Sequence, residues 1–183
     1  MELLDTDEHA EHIDTIREAH DRMATLIDDI LTLARQGQAV GETTPTPVQR
    51  PATQAWEQVN TGVATVDVDL DTVIEADESR LQQLFENLFR NAIEHGGEAV
   101  TVHVGALEDG TGFYVADDGP GIPSEKRDQI FDHGYSTVAD GTGFGLTIVQ
   151  PIVQAHGWEL AVTESAEGGA RFEIYADSAA SKP

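Results

Sequence analysis

Two glycine-rich turns bracket a polar stretch in the second half of the chain, and they restrict its possible folds more than any other feature. The first is Asp117-Asp118-Gly119-Pro120-Gly121-Ile122 and the second is Gly141-Thr142-Gly143-Phe144-Gly145-Leu146. A strand pattern, Phe113-Tyr114-Val115-Ala116, leads into the first turn, and a helical pattern from Leu146 to His156 leaves the second. Glycine has no Cβ, so its backbone can approach a ligand closely, and the free N–H groups at a helix start suit phosphate oxygens. A carboxylate at one turn and a phosphate cradle at the other point to a nucleotide site. Taken singly, either turn reads better as an ordinary tight turn. The dinucleotide fingerprint needs a strand directly before its glycines and a βαβ unit. Here Gly143 and Gly145 follow a loop, and the Gly-Lys-Ser/Thr of a P-loop is absent.

A third element decides the reading: Leu84-Phe85-Glu86-Asn87-Leu88-Phe89-Arg90-Asn91-Ala92-Ile93-Glu94-His95. Asn87 and Asn91 are one helical turn apart and share a face. Leu81, Leu84, Phe85, Leu88, Ala92 and Ile93 form an apolar stripe on the other side, the side expected to be buried. Two asparagines beside an Asp-x-Gly-x-Gly turn suggest a shelf for metal and phosphate, where alone they would suit a solvated surface.

With these three elements in order, residues 77–176 resemble the catalytic and ATP-binding domain of sensor histidine kinases, in the Bergerat-fold ATPase superfamily. The matching boxes are an N box at Asn87–His95, a G1 box at Asp117–Gly121, an F box at Ile130-Phe131 and a G2 box at Gly141–Gly145. The resemblance implies ATP as ligand, Mg²⁺ as its partner ion, and a response regulator receiver domain downstream. It also implies roles. Asp117 would accept a hydrogen bond from the adenine amine, where guanine presents a carbonyl. Gly119 and Gly121 would let the base lie against backbone. Asn91 would give its amide oxygen to Mg²⁺, a hard cation that prefers oxygen. Asn87 would support the phosphates or a metal-bound water, and the two asparagines are the catalytic candidates. His95 would lie over the base or ribose, or only end the helix. Gly141, Thr142, Gly143, Gly145 and Leu146 would hold the phosphates, with residues 132–142 as the ATP lid.

Three positions depart from the family's pattern. Glu94 stands where a phosphate-reaching lysine is often found. Pro151 falls inside the helix after the G2 box, where a lost hydrogen bond predicts a kink or an early break near Gln150. Arg171 occupies a strand position that often carries Ser or Thr.

The N-terminal part is different in character. His9, Ile13, Ile16, His20, Met23, Ile27, Ile30 and Ala34 recur at alternating spacings of four and three, a heptad seam within one long helix over 8–35. It resembles the second helix of the dimerisation hairpin, which in that family pairs with a second copy into a four-helix bundle. The phosphoacceptor box belongs on the first helix, and no such box is present. His20-Asp21-Arg22-Met23-Ala24-Thr25 imitates it with the wrong residues at two positions and on the wrong helix. The chain therefore reads as a kinase beginning just after its phosphoacceptor.

Composition narrows partners and setting. Acidic residues number 34 against 10 basic, for a formal charge of −24. That balance argues against nucleic acid and against an anionic membrane surface. Because the acid is spread along the chain, it fits life in very high salt, where screening acts within about 3 Å at 1 M. There is no run of apolar residues long enough to span a membrane, which suggests a cytoplasmic location, with any membrane attachment elsewhere in a longer protein. Cysteine is absent, so disulfides and thiolate metal sites are excluded.

The expected fold is α+β: a helical hairpin remnant over 1–36, a linker or first extended segment over 37–51, and a two-layer sandwich over 52–176. In the sandwich, helices cover one face of a mixed sheet, and 177–183 is a frayed tail. A short helix is expected around Trp56 and a strand at Ala64–Leu70. Hairpins are expected through Asp109-Gly110 and across Gly168-Gly169. Three other readings compete: a non-catalytic nucleotide-binding or dimerisation module, a chaperone- or topoisomerase-type ATPase, and a protein-serine kinase of the anti-sigma-factor type. The second needs a glutamate base four residues before the metal asparagine, where this chain has Asn87. The third does not account for the heptad helix.

Overall fold

The computed structural model describes His12, Met23 and residues 41–97, 99–108, 110–127, 129–131 and 145–176. The chain divides into two compact units, Met1–Gly37 and Gln38–Pro183. Of the first unit, His12 and Met23 are helical and exposed. The remainder of the heptad segment, all of 132–144, expected to include the lid, and the tail lie outside the described residues.

The second unit begins with a short strand, β1 (Thr44–Pro47), followed by helix α1 (Gln49–Gln58), strands β2 (Thr65–Asp69) and β3 (Val73–Ala76), and the long helix α2 (Glu78–Gly96). The hairpin β4 (Thr101–Ala106) and β5 (Gly112–Asp117) comes next, then two single 3-10 turns at Ser124–Lys126 and Gln129–Phe131. Helix α3 (Gly145–Ala155) and a last hairpin, β6 (Glu159–Glu164) and β7 (Ala170–Tyr175), complete it. The five-stranded sheet has the order β2-β4-β5-β7-β6, with β2 parallel to β4 and every other pairing antiparallel. Helices cover one face only, giving the expected α+β sandwich.

Alternation along the strands decides which face is covered. Val102, Val104, Phe113, Val115, Phe172 and Ile174 are buried and meet the helices. The intervening residues form the other face, where Arg171 lies 3.6 Å above the Tyr114 ring and its Nε donates to Glu173 at 2.8 Å. Arg171, unexpected at this position, is thus held by a cation–π contact and an ion pair.

α2 is the spine of the helical layer. Leu81, Leu84, Phe85, Leu88 and Ala92 are buried as the apolar stripe predicts, with Ile93 packed partly against the same core. Phe89 joins them, fully buried, because α1 packs on its side: the Trp56 and Phe89 rings meet edge-on at 5.2 Å. Phe85 stacks on Phe89 at 5.7 Å and reaches Phe113 of the sheet at 5.1 Å, so one aromatic row ties both helices to the strands.

Two expectations need correction. Residues 37–51, expected as a linker or a first extended segment, hold the extended strand β1 and the start of α1, so the sandwich begins before residue 52. β1 pairs antiparallel with β3, Thr46 is buried opposite Ile74, and Val48 is fully buried. Two prolines are tolerated because this is a two-stranded edge, where half of the backbone donors have no partner to lose. The early break near Gln150 is also absent: α3 runs through Pro151 to Ala155. Ile152 and Val153, both beyond the proline, are buried. Burying two such side chains gains about 1.5–3 kcal/mol each, enough to offset a proline penalty of about 3 kcal/mol.

Asp77 caps α2. Its Oδ1 accepts from the Ser79 and Arg80 amides and its Oδ2 from the Gly41 amide at 3.0 Å, which pins the entering chain to the helix start. The Asp77 N–H in turn donates to His156 Nε2 at 3.1 Å, while His156 Nδ1 lies 2.8 Å from the Ile152 carbonyl. The Nδ1–H tautomer satisfies both contacts. The ring also stacks on Trp158 at 4.1 Å. Burial pushes the Asp77 carboxyl up, but the hydrogen bonds from Ser79, Gly41 and Arg80 outweigh it and hold the group below 3.8. Burial pushes the His156 imidazole below 6.5.

Both depressions act in the same direction on stability. The histidine contribution is complete above 6.5 and declines as pH falls toward its folded pKa. The Asp77 contribution is complete above 3.8 and is lost as pH falls through its lower folded pKa. Asp77→Ala is expected to cost about 0.5–2 kcal/mol at neutral pH, the range for an N-cap. Denaturant melts at neutral and strongly acid pH should show this difference shrinking in acid, and a difference that grew there would contradict the cap assignment.

Candidate nucleotide site

Asp117 is the last residue of β5, and the chain around it is built to hold one of its oxygens and free the other. The residue is 8% exposed. Oδ1 accepts from the Gly119 amide at 3.0 Å and the Ala170 amide at 3.1 Å. Oδ2 takes no hydrogen bond from any described residue. Burial pushes the carboxyl above 3.8, the Ala170 and Gly119 amides draw it down, Asp118 raises it further, and His95 lowers it. A buried carboxylate with one lone oxygen is an acceptor waiting for a donor.

The adjoining backbone is close enough to exclude side chains. A Cβ on Gly119 would sit 2.6 Å from the Cα of Gly96 at the end of α2, so this turn touches the helix that carries the asparagines. Gly121 has φ +71°, and a Cβ there would meet the Gly168 carbonyl at 2.7 Å. Asp118 faces the other way, with its Oδ1 accepting from the Thr101 amide at 2.8 Å.

Asn87 and Asn91 lie on α2 as their spacing predicts, yet Asn87 is 4% exposed, far more buried than a polar face in water. Its Nδ2 donates to the Gln83 carbonyl at 2.8 Å, which fixes the amide and leaves Oδ1 buried without a partner. Asn91 Nδ2 is likewise buried and unpartnered. An amide's oxygen and nitrogen differ only by a half-turn of the group, so Asn91 can present either atom. Orphaned buried polar atoms are costly and call for a partner, which a ligand or an ordered water supplies. His95 is exposed on the last turn of α2, near enough to act on Asp117 by charge.

The second glycine turn is described only from Gly145 onward. Gly145 opens α3 and Leu146 packs partly against the core. Gly141, Thr142 and Gly143 lie outside the described residues. In the F box, Ile130 is buried and Phe131 packs against the core, while Arg127 Nε donates to the Ile122 carbonyl at 3.0 Å.

Sequence reasoning did not find Ser165 or the role of Gly168-Gly169. Both lie in the β6–β7 turn, read only as a hairpin, yet Ser165 is buried and bonded to Asp117. The signal present was a serine four residues before a glycine that contacts another turn, which sequence spacing alone does not reveal.

A sandwich with one bare sheet face, an Asp–Gly turn against the long helix and two buried amides on that helix defines the nucleotide-binding domain of the Bergerat fold. Residues 76–180 match the family described as histidine kinase-, DNA gyrase B-, and HSP90-like ATPase, which is more than half of the chain, and the chain belongs to that family. The sensor histidine kinase ZraS of Escherichia coli O157:H7 is 39% identical over 104 residues, covering 56% of this chain and 23% of that protein. Full-length ShkA, solved in complex with AMPPNP, superposes with a TM-score of 0.71 at 30% identity, covering 94% of this chain and 40% of that one. The catalytic domain of histidine kinase ThkA superposes at 0.64 with 26% identity, covering 75% of this chain and 97% of that one. The domain is thus an ATP-binding domain of the sensor histidine kinase type, and the chain spans about a quarter of the curated relatives it matches.

Proposed function

We propose that this chain binds ATP with Mg²⁺ and passes the γ-phosphate to a histidine carried on another hairpin, as the kinase domain of a two-component sensor. The observation that carries the reading is the unpartnered Asn87 Oδ1 and Asn91 Nδ2 on the helix that the Asp117 turn touches, together with an Asp117 Oδ2 that takes no hydrogen bond from any described residue. Asp117 takes the adenine amine. Asn91 turns its oxygen to Mg²⁺, and Asn87 supports a phosphate oxygen or a metal-bound water. Mg²⁺, when bound, neutralises charge that develops on the phosphoryl oxygens. His95 shields the base or ribose, and Gly141, Thr142, Gly143, Gly145 and Leu146 enclose the phosphates. Water activation of the chaperone type is disfavoured: an amide at Asn87 cannot take a proton, and Glu86 is engaged by Gln82 at 2.9 Å.

The 8–35 segment makes a homodimer, a receiver domain accepts the phosphate, and the domain works in the cytoplasm. None of this chain's seven histidines has the setting of a phosphoacceptor. Labelled ATP and Mg²⁺ with the chain alone are expected to give no phosphohistidine, whereas adding a histidine-bearing hairpin gives acid-labile phosphate on that hairpin. Stoichiometric label on His20, removed by His20→Gln, would overturn the assignment.

The charge of −24 is read as adaptation to high salt. Self-repulsion is screened at molar ionic strength, so the melting temperature is expected to be higher in molar KCl than in dilute buffer. Equal or lower stability in molar KCl would remove the halophilic reading.

A further inference from the structure

The β6–β7 turn lies far from Asp117 in sequence, yet it encloses that residue on two sides. Ser165 is 8% exposed. Its Oγ–H donates to the Asp117 carbonyl at 2.6 Å. The same oxygen accepts from the Gly169 amide at 3.0 Å and the Glu167 amide at 3.2 Å. The turn is closed on itself by Ser165 N–H to the Gly169 carbonyl at 2.9 Å. Its next residue, Ala170, supplies one of the two amides on Asp117 Oδ1. A Cβ on Gly169 would fall on both the carbonyl and the Oδ1 of Asp117, so the turn lies flush against the residue.

From this geometry we infer that Ser165 is a positioning residue for base selection: through Asp117 it fixes where the free Oδ2 stands and so which purine edge is accepted. The inference rests on the adenine reading of Asp117. A single hydroxyl serves three backbone groups, holding the Asp117 main chain and ordering the turn whose Ala170 amide occupies Oδ1. With Oδ1 occupied, only Oδ2 remains for the base. An exocyclic amine can donate to it, whereas a carbonyl at the same ring position meets lone pair with lone pair. Discrimination of this kind depends on a fixed acceptor, because a carboxylate free to rotate can turn away from the repulsion. Ser165 touches no part of the ligand in this scheme. It acts by denying Asp117 that freedom.

The test compares ATP with inosine triphosphate, which carries a carbonyl where adenine has its amine. Affinities of the full chain are measured by calorimetry at fixed Mg²⁺. Ser165→Ala is expected to weaken ATP about tenfold, the effect of losing a good buried hydrogen bond, with inosine triphosphate changed far less, so selectivity collapses. Ser165→Thr, which keeps the hydroxyl, should restore selectivity. Gly169→Ala, a steric lesion at the same contact, should reduce it independently. Ser165→Cys keeps the volume with a weaker donor and should fall between serine and alanine. It replaces the alanine variant if that one does not fold. Equal losses for both nucleotides would reduce Ser165 to a structural residue, and retained selectivity in folded Ser165→Ala and Ser165→Cys would overturn the inference. The adenine reading fails separately: it falls if the unaltered chain does not prefer ATP, or if Asp117→Asn leaves that preference intact.

Discussion

Asp117→Asn is expected to weaken ATP binding by about one to two decades, the cost of a buried hydrogen bond lost to an unpaired group, while leaving the fold intact. The asymmetry of the carboxylate is the reason. Gly119 and Ala170 both donate to Oδ1, so the substituted amide must keep its oxygen there. Its NH₂ then replaces Oδ2 and meets the adenine amine donor to donor. Stability should move the other way or not at all. Burial raises the Asp117 pKa above 3.8. A carboxyl raised in the fold costs stability above its folded pKa, and the cost is relieved as pH falls through that value toward 3.8. A neutral amide carries no such cost. Calorimetry and melting curves on the same sample separate the two effects. An affinity unchanged in the folded variant would remove the adenine role.

Phe85→Ala should lower unfolding free energy by about 3–5 kcal/mol, the range for a large buried aromatic. That is a large part of the roughly 5–15 kcal/mol that stabilises a whole domain. Phe85 is fully buried and lies between Phe89 and Phe113, so its removal opens a void where α2 meets the sheet. Neighbouring side chains on a two-layer contact can relax only partly into such a void. Urea denaturation in molar KCl would measure it, with an unchanged slope showing that the unfolded state is the same. A loss under about 1 kcal/mol would mean that the helical layer slides to fill the gap.

Legibility in the sequence tracked the range of the interactions involved. The β4–β5 and β6–β7 hairpins could be read because alternation and turn residues are local. α2 could be read from its apolar stripe, and Asp117 from its glycines. The burial of Phe89 could not, since it depends on Trp56 arriving from a different helix. The prolines of β1 left its segment open between linker and extended chain, and only its pairing with β3 makes it a strand. The parallel pairing of β2 with β4 crosses the whole of α2, and no residue pattern announces it. Pro151 misled because a local penalty was weighed without the burial of Ile152 and Val153 beyond it. Ser165 was the most distant case: 48 residues separate it from the carbonyl it holds.

That separation also sets an order of assembly. The two hairpins close over short spans, whereas joining β5 to β7 must bring together segments with the lid and α3 between them, and non-local pairings form late. On the ribosome, where chains emerge at about 5–20 residues per second, the Asp117 strand is exposed seconds before Ser165 and Ala170 exist to clasp it. The adenine contact proposed for Asp117 therefore gains its Ala170 support only after β7 is made.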